Sequence, residues 1–316
     1  MGEFVGIDPH GAQELIRRME AGKGHLGRTR AGLDAAIAEA GQDWAGRQGA
    51  TAMHRAWAFF DESQHDLKWR IDTIEQIVPV RERGMLTGTF PFGSEAEAVR
   101  SAAEAAHSIR ATLDGGDPAP PAEGSDTAPP TKDGDAVLGA EVRDPAYAAA
   151  LLTALGPDAF TRALGGPDRA LGGGLAEAFA SAERTGRLGD EWYELVGSAP
   201  PGVLTSLVTL AGQSGTFLNR VAVGLLNRPP DPAWSMHDLV RAYEDEPLAL
   251  QQLLAEHPSE TRALLDAATR DPSLEEALAG ALHEALKPGV GADGLRERAW
   301  RNIVRGVGAA VEIEDR

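Results

Sequence analysis

The tetrapeptide Asp43-Trp44-Ala45-Gly46 stands between two long helical patterns and decides how the N-terminal part of the chain is expected to fold. Asp8-Pro9 predicts the start of the first helix, because Asp can cap free N–H groups and Pro fits the first helical position. This helix is expected over residues 9–40, with Gly41 as its end signal. The second helix is expected over about residues 47–78.

Both helices carry apolar residues at the three- and four-residue spacings of a heptad stripe. The residues that we call the seam residues are Leu15, Met19, Leu26, Leu33 and Ile37 in the first helix and Met53, Trp57, Phe60, Leu67, Ile71 and Ile74 in the second. Two matched stripes joined by a short turn predict an antiparallel helical hairpin. One hairpin has too thin a core to be stable alone, so the stripes need a copy of the hairpin, a sister protein or the C-terminal domain.

Beyond the hairpin, the sequence predicts a third helix and a linker. Residues 84–93 are interpreted as a loop, and Ser94 with Glu97 forms a capping-box pattern that starts a helix of about 18 residues. The expected inner face of this helix consists of Val99, Ala103, Ala106, Ile109 and Leu113. The predicted domains are the hairpin over 1–84, the loop and third helix over 85–113, a disordered Pro-, Gly- and Asp-rich linker over 114–136, and an acidic all-α domain over 137–316.

The C-terminal part shows short helical patterns separated by Pro and Gly, without extended strand alternation. Asp144-Pro145, Asp231-Pro232 and Asp271-Pro272 each pair a capping residue with a first-turn proline. Helices are expected at about 147–155, 168–184, 190–197, 202–226, 235–244, 247–256, 259–270, 272–286 and 293–310. The predicted fold class is all-α, an N-terminal antiparallel helical hairpin plus a separate compact helical domain.

The charge balance argues against nucleic acid as a partner. The 316 residues carry 30 Lys and Arg against 48 Asp and Glu, a net charge of −18. Residues 1–84 hold 11 basic and 13 acidic residues, so the acidic excess belongs to the rest of the chain. Such a field repels phosphate backbones and disfavours binding to an anionic membrane. The absence of Cys excludes a disulfide scaffold, a Cys nucleophile and Cys-ligated zinc.

No motif predicts catalysis, so the chain is expected to be non-enzymatic, with no catalytic, cofactor-binding or metal-ligating residues. The eight His are scattered, and none belongs to an HExxH motif. Gly212-Gln213-Ser214-Gly215 lacks the spacing of a nucleophile elbow, and the glycines at 41 and 46 lack the Lys and hydroxyl of a phosphate-binding loop. The uncharged stretch 195–219 predicts a buried helix of the C-terminal domain, with a conditional membrane-inserting segment as the alternative.

With Trp44-Ala45-Gly46 between two helices of these lengths, residues 4–80 resemble the WXG family of helical-hairpin proteins exported by type VII (ESX-type) secretion systems. A bulky Trp can cap the open end of a two-helix seam, and Gly lets the backbone reverse without a Cβ clash. The Ala-rich stretch DPAYAAALLTALGPDAF, residues 144–160, is similar to helical regions behind such hairpins in large actinobacterial proteins.

The resemblance implies association of the hairpin with itself or with a second WXG-like protein in a four-helix bundle, and recognition by a type VII secretion ATPase. It also implies secretion without a cleaved signal peptide from a cytoplasmic pool, and Met1-Gly2-Glu3-Phe4 lacks the basic region of such a peptide. The chain departs from the family's export signal, Tyr-x-x-x-Asp/Glu, because none of its three tyrosines has an acidic residue four positions later. A chain that ends at Arg316 leaves no room for a toxin domain, which disfavours a secreted enzyme toxin.

Three functions follow from these observations. The first is a non-enzymatic protein of type VII secretion that acts through Trp44, Gly46 and the seam residues. The second is an intracellular helical scaffold or adaptor, in which the hairpin packs on its own C-terminal domain. The third is a membrane-active effector that uses the uncharged stretch 195–219.

Overall fold

A computed structural model describes residues 3–40, 44–77, 86–115, 138–229, 231–232 and 234–314. Within these residues the chain forms thirteen α-helices, one short 3₁₀ helix and one pair of strands, which confirms the predicted all-α class. The contacts divide the chain into two compact units. The first contains Met1–Ala102 and Arg143–Tyr147, and the second contains Ala103–Val142 and Ala148–Arg316.

This division differs from the predicted boundaries. Residues 86–102 and 143–147 group with the hairpin, although the sequence suggested a separate third-helix segment and a C-terminal domain that begins at residue 137. The predicted linker, apart from Asp114 and Gly115, lies outside the described residues.

The first unit is built on two long helices. Its elements are β1 (Glu3–Ile7), α1 (Pro9–Ala40), α2 (Trp44–Ile77), β2 (Leu86–Phe90) and the first part of α3 (Glu95–Leu113). Lys23 contacts Asp61 and Gln64, whereas Arg30, further along α1, contacts His54, earlier in α2. Residues later in α1 therefore contact residues earlier in α2, so the two helices pack antiparallel.

The paired strands were not expected from the sequence. β1 and β2 are antiparallel, with Glu3 opposite Phe90 and Ile7 opposite Leu86, so the prediction of a loop over 84–93 was wrong for residues 86–90. Five residues give too short an alternation to indicate a strand, and the neighbouring Gly and Pro residues suggested a loop.

The inner face of α3 also differs from the prediction. Ser94 accepts a hydrogen bond from the Glu97 N–H at 3.2 Å, as the capping box predicts, but the Glu97 carboxylate accepts from the Gly93 N–H instead of that of Ser94. Ala98 and Ala102 are fully buried, whereas Val99 is 45% exposed. Ala106 and Ile109 are buried as predicted, so the difference is confined to the first half of the helix, where alanines take the buried positions.

The second unit consists of short helices. They are the rest of α3, α4 (Pro145–Leu164, from Ala148), α5 (Arg169–Arg184), α6 (Asp190–Ser198), α7 (Pro201–Leu210), α8 (Gly215–Leu226), α9 (Met236–Arg241), α10 (Pro247–Glu256), α11 (Pro258–Ala268), α12 (Pro272–Ala285) and α13 (Asp293–Glu314). A kink divides α4 at Gly156, whose φ of 73° and ψ of 160° leave the helical region. This is the position at which the sequence predicted a helix end.

The single helix predicted over 202–226 is two helices, α7 and α8. Ser214 caps α8 by accepting from the Phe217 N–H at 3.2 Å. The buried Gln213 side chain donates to the carbonyl oxygens of Ala176 and Leu207 at 3.3 and 2.9 Å. Gly212, Ser214 and Gly215 mark this break, but it was missed because the stretch holds no Pro or charged residue and apolar residues lie on both sides of it.

The three Asp-Pro pairs have different outcomes. Asp144 accepts from the N–H groups of Ala146 and Tyr147, and Asp271 accepts from those of Ser273 and Leu274, so both cap helices as predicted. Asp231-Pro232 does not start a helix, because α9 begins at Met236 with Ser235 as its cap.

Candidate interaction surface on the hairpin

The seam residues are only partly covered. Ile71 and Ile74 are 4% and 0% exposed, and both lie toward the C-terminal end of α2. In contrast, Leu15 is 50% exposed and Trp57 is 37% exposed. Partial exposure is shared by Met19, Leu26, Met53, Phe60 and Leu67. The side chains of Leu33 and Ile37 lie outside the described residues.

The side of α1 that meets α2 contains polar residues as well as apolar ones. Ile16 is buried, and Lys23, seven residues later, forms an ion pair with Asp61 and lies 5.0 Å from the centre of the Trp57 ring. At 100° per residue, Leu15 and Leu26 lie about 80–100° around the helix from Ile16. The apolar stripe of α1 is therefore beside the α1–α2 contact, which explains why it stays open.

The Trp-x-Gly motif lies in the first turn of α2. This helix begins at Trp44, three residues earlier than the sequence suggested, so the motif opens the helix instead of preceding it. The side chain of Trp44 and the surroundings of Gly46 lie outside the described residues. Capping of the hairpin by the Trp ring stays a prediction.

The base of the hairpin has a groove of about 560 Å³ between the start of α1 and the end of α2. Its floor is formed by Ile16 and Ile71, and its rim carries both basic and acidic side chains, among them Lys68 and Glu75. Burial, with a smaller effect of the Asp72 charge, raises the pKa of Glu75.

The buried Asp144 makes more hydrogen bonds than the helix cap that the sequence predicted for it. Besides capping α4, its carboxylate accepts from the Trp69 indole N–H at 3.0 Å and from the Thr73 hydroxyl at 3.2 Å. Trp69 lies on the side of α2 opposite the seam residues and contacts Phe90, with 5.7 Å between ring centres. The Asp-Pro pattern predicted the helix cap. Nothing in the sequence indicated that Trp69, which lies off the apolar stripe, would donate a hydrogen bond to Asp144.

The remaining predicted features have structural roles. Ser214, in the stretch compared with a nucleophile elbow, donates to the Glu183 carboxylate at 2.8 Å and caps α8. The uncharged stretch 195–219 includes the buried side chains of Leu204, Leu207 and Phe217. Among the described residues, no helix combines the length and apolarity that crossing a membrane requires. No group of three or more His, Asp or Glu in the same residues is placed to hold a metal ion.

No protein-family model matches the chain, and neither the curated proteins nor the solved structures compared with it give a match. The likeness to WXG hairpins therefore rests on the residues of this chain alone.

Proposed function

We propose that this protein is a non-enzymatic, WXG-like protein of type VII secretion that acts through helix–helix contacts of its hairpin. The observation that carries the proposal is the open apolar stripe beside the α1–α2 contact, where Leu15 is 50% exposed and Leu26 and Phe60 are partly exposed. A partner hairpin laid along this stripe would complete a four-helix bundle.

The energetic argument for a partner is the apolar surface that the hairpin leaves in water. Complete burial of a large apolar side chain contributes roughly 1.5–3 kcal/mol relative to full exposure. Burial of several half-covered seam residues on one stripe therefore favours association. This gain opposes the entropy cost of the translational and rotational freedom that association removes. A second copy of the chain serves as the partner when no sister protein is present.

The missing Tyr-x-x-x-Asp/Glu signal fits a pair of proteins in which only the other partner carries the export signal. None of Tyr147, Tyr193 and Tyr243 has an acidic residue four positions later. We assign the export signal to a second WXG-like protein that pairs with this hairpin, and this pair is the species that the secretion ATPase recognises.

Fractionation of producing cells, with and without a functional secretion ATPase, tests the export part of the proposal. We expect the protein in the culture supernatant only when the ATPase is active. A cytoplasmic marker protein in the same fractions controls for lysis. Equal supernatant levels in both strains would reject type VII export and favour the scaffold function.

A further inference from the structure

The strongest feature outside the hairpin is a groove of about 350 Å³ in the second unit, between α12 and α13. Both helices pack on α10 and α11 and leave this space between them. Leu282 and Leu286 of the α12 side and Trp300 and Ile303 of α13 line it. The groove is open to solvent and apolar over most of its lining.

An exposed apolar stripe continues from the groove along α13. Trp300, Val304 and Val307 are 58%, 55% and 48% exposed. Their spacing of four and three residues places them on one side of the helix. Single exposed apolar residues are ordinary on a protein surface, but three in a row beside an apolar groove form a contiguous patch of the kind that binds a partner.

The packing of α13 fixes this stripe on the outside. Ala299 is fully buried, and the Asn302 side chain donates to the Leu254 carbonyl at 2.9 Å. At Gly306 the helix comes so close to α11 that an added Cβ would lie 2.7 Å from Leu265 Cδ1. Rotation that buried Trp300 would break these contacts, so the stripe stays on the outside of the second unit.

The charges around the groove are basic, in a chain whose net charge is −18. The charged or titratable residues of the lining are His283 and Lys287, and Lys287 is already paired with the adjacent Glu284 carboxylate at 2.6 Å. The net basic character therefore comes from α13. Arg298, Arg301 and Arg305 are exposed on α13. The pairing of Arg301 with Glu297, at 3.4 Å, is solvent-exposed and contributes little.

We propose that the α12–α13 groove binds an amphipathic helix with an acidic face, supplied by another protein. The partner inserts one large apolar side chain between Leu286 and Trp300 and lays a second on the Val304–Val307 side. Its carboxylates meet Arg301 and Arg305. This arrangement is the helix-in-groove mode, in which residues one and two turns apart act as anchors.

Two other occupants fit the observations less well. A second copy that used the same groove would bring the exposed arginines of α13 against their own counterparts. An anionic membrane surface would be repelled by the net charge of −18, and a flat bilayer does not fill a concave groove. The groove belongs to the second unit, and this inference does not depend on the function proposed for the hairpin.

The test measures fluorescence anisotropy of a labelled Leu/Glu/Ala helix with full-length protein. Its Leu residues are spaced to form one stripe and its Glu residues flank that stripe. The comparison peptides are a scrambled sequence and a version with Lys in place of Glu. We expect only the Glu-flanked helix to bind, with affinity that falls as salt rises. Trp300→Ala should weaken binding at least about tenfold, as loss of a buried aromatic anchor does.

Two further variants make the test specific. Arg301→Glu combined with Arg305→Glu should weaken binding and invert the preference toward the Lys-flanked peptide. Leu210→Ala, at a residue of α7 that is 40% exposed, should change nothing. Equal binding of the scrambled peptide, or insensitivity to Trp300→Ala, overturns the proposal. Trp300-dependent binding to phosphatidylglycerol vesicles without peptide binding, or a dimer that Trp300→Ala abolishes, overturns it as well.

Discussion

At the scale of single residues, the Asp144 carboxylate joins α2 to the start of α4 within the first unit. Four donors from two segments of the chain meet its carboxylate, namely the side chains of Trp69 and Thr73 on α2 and the N–H groups of Ala146 and Tyr147. All of these groups are buried, so each would be left unsatisfied without the carboxylate.

Asp144→Ala should lower the free energy of unfolding by about 2–4 kcal/mol. The change removes a helix cap and leaves the indole N–H of Trp69 without its acceptor. Urea unfolding of the full chain measures the loss. Asp271→Ala is the matched control, because Asp271 caps α12 through the same Asp-Pro pattern in an exposed position. Its cost should be about 1 kcal/mol. Equal costs for the two variants would contradict a special role for Asp144.

The same carboxylate should make stability depend on pH. Burial raises the pKa of Asp144, and the hydrogen bonds from Tyr147, Ala146, Trp69 and Thr73 lower it by a smaller amount. The folded state therefore holds the proton more tightly than the unfolded chain, whose pKa is about 4. The contribution of Asp144 is largest below that pH and declines as pH rises through the folded pKa.

Comparison of the wild type with Asp144→Asn isolates this effect, because the other titrating groups cancel. The stability of the wild type relative to the variant should fall from about pH 3 upward and become constant above the folded pKa. Urea unfolding at a series of pH values gives the difference. A relative stability that rises over the same range would mean that the hydrogen bonds outweigh burial.

At the scale of elements, the sequence predicted helices well where Pro, Gly or a capping residue marks their ends. The prediction for α1 agrees at both ends, and α10 and α12 begin at Pro247 and Pro272 as expected. It failed where the decisive contact is distant in sequence. The break between α7 and α8 depends on a bond from Gln213 to Ala176, and β2 exists because it pairs with β1.

A glycine at a helix kink and a glycine inside a regular helix should respond in opposite ways to replacement by Ala. Gly156 has a φ of 73° and a ψ of 160°, a conformation that side chains other than Gly rarely adopt. Gly156→Ala should therefore destabilise the protein by about 1–3 kcal/mol. Gly27 lies inside α1 with no atom within 4 Å of an added Cβ, so Gly27→Ala should stabilise it by about 0.5–1 kcal/mol.

Thermal or urea unfolding of the two single variants tests this contrast. The sign is the informative result, because both changes add the same methyl group. A stabilising Gly156→Ala would show that the kink in α4 relaxes into continuous helix at no cost. A destabilising Gly27→Ala would show that this face of α1 is covered in solution.

At the scale of the whole molecule, the sequence predicted the two long helices α1 and α2 but not the way in which they meet. The heptad spacing correctly placed Ile71 and Ile74 on a buried face of α2. It could not show that Ile16 and Lys23 would face α2, because an apolar stripe does not specify which neighbour covers it. Leu15 and Leu26 are consequently left beside the contact, and this placement makes association the central claim.

Sedimentation equilibrium of the full-length protein tests that claim most directly. The chain mass is 33.3 kDa, and we expect a concentration-dependent species of twice this mass. Leu15→Glu should shift it to the monomer, because the charge falls on the open stripe. Leu210→Glu, at a 40% exposed leucine of the second unit, should leave the dimer intact. A wild-type chain that stays monomeric at every concentration, or a Leu15→Glu variant that dimerises as well as the wild type, would contradict the account.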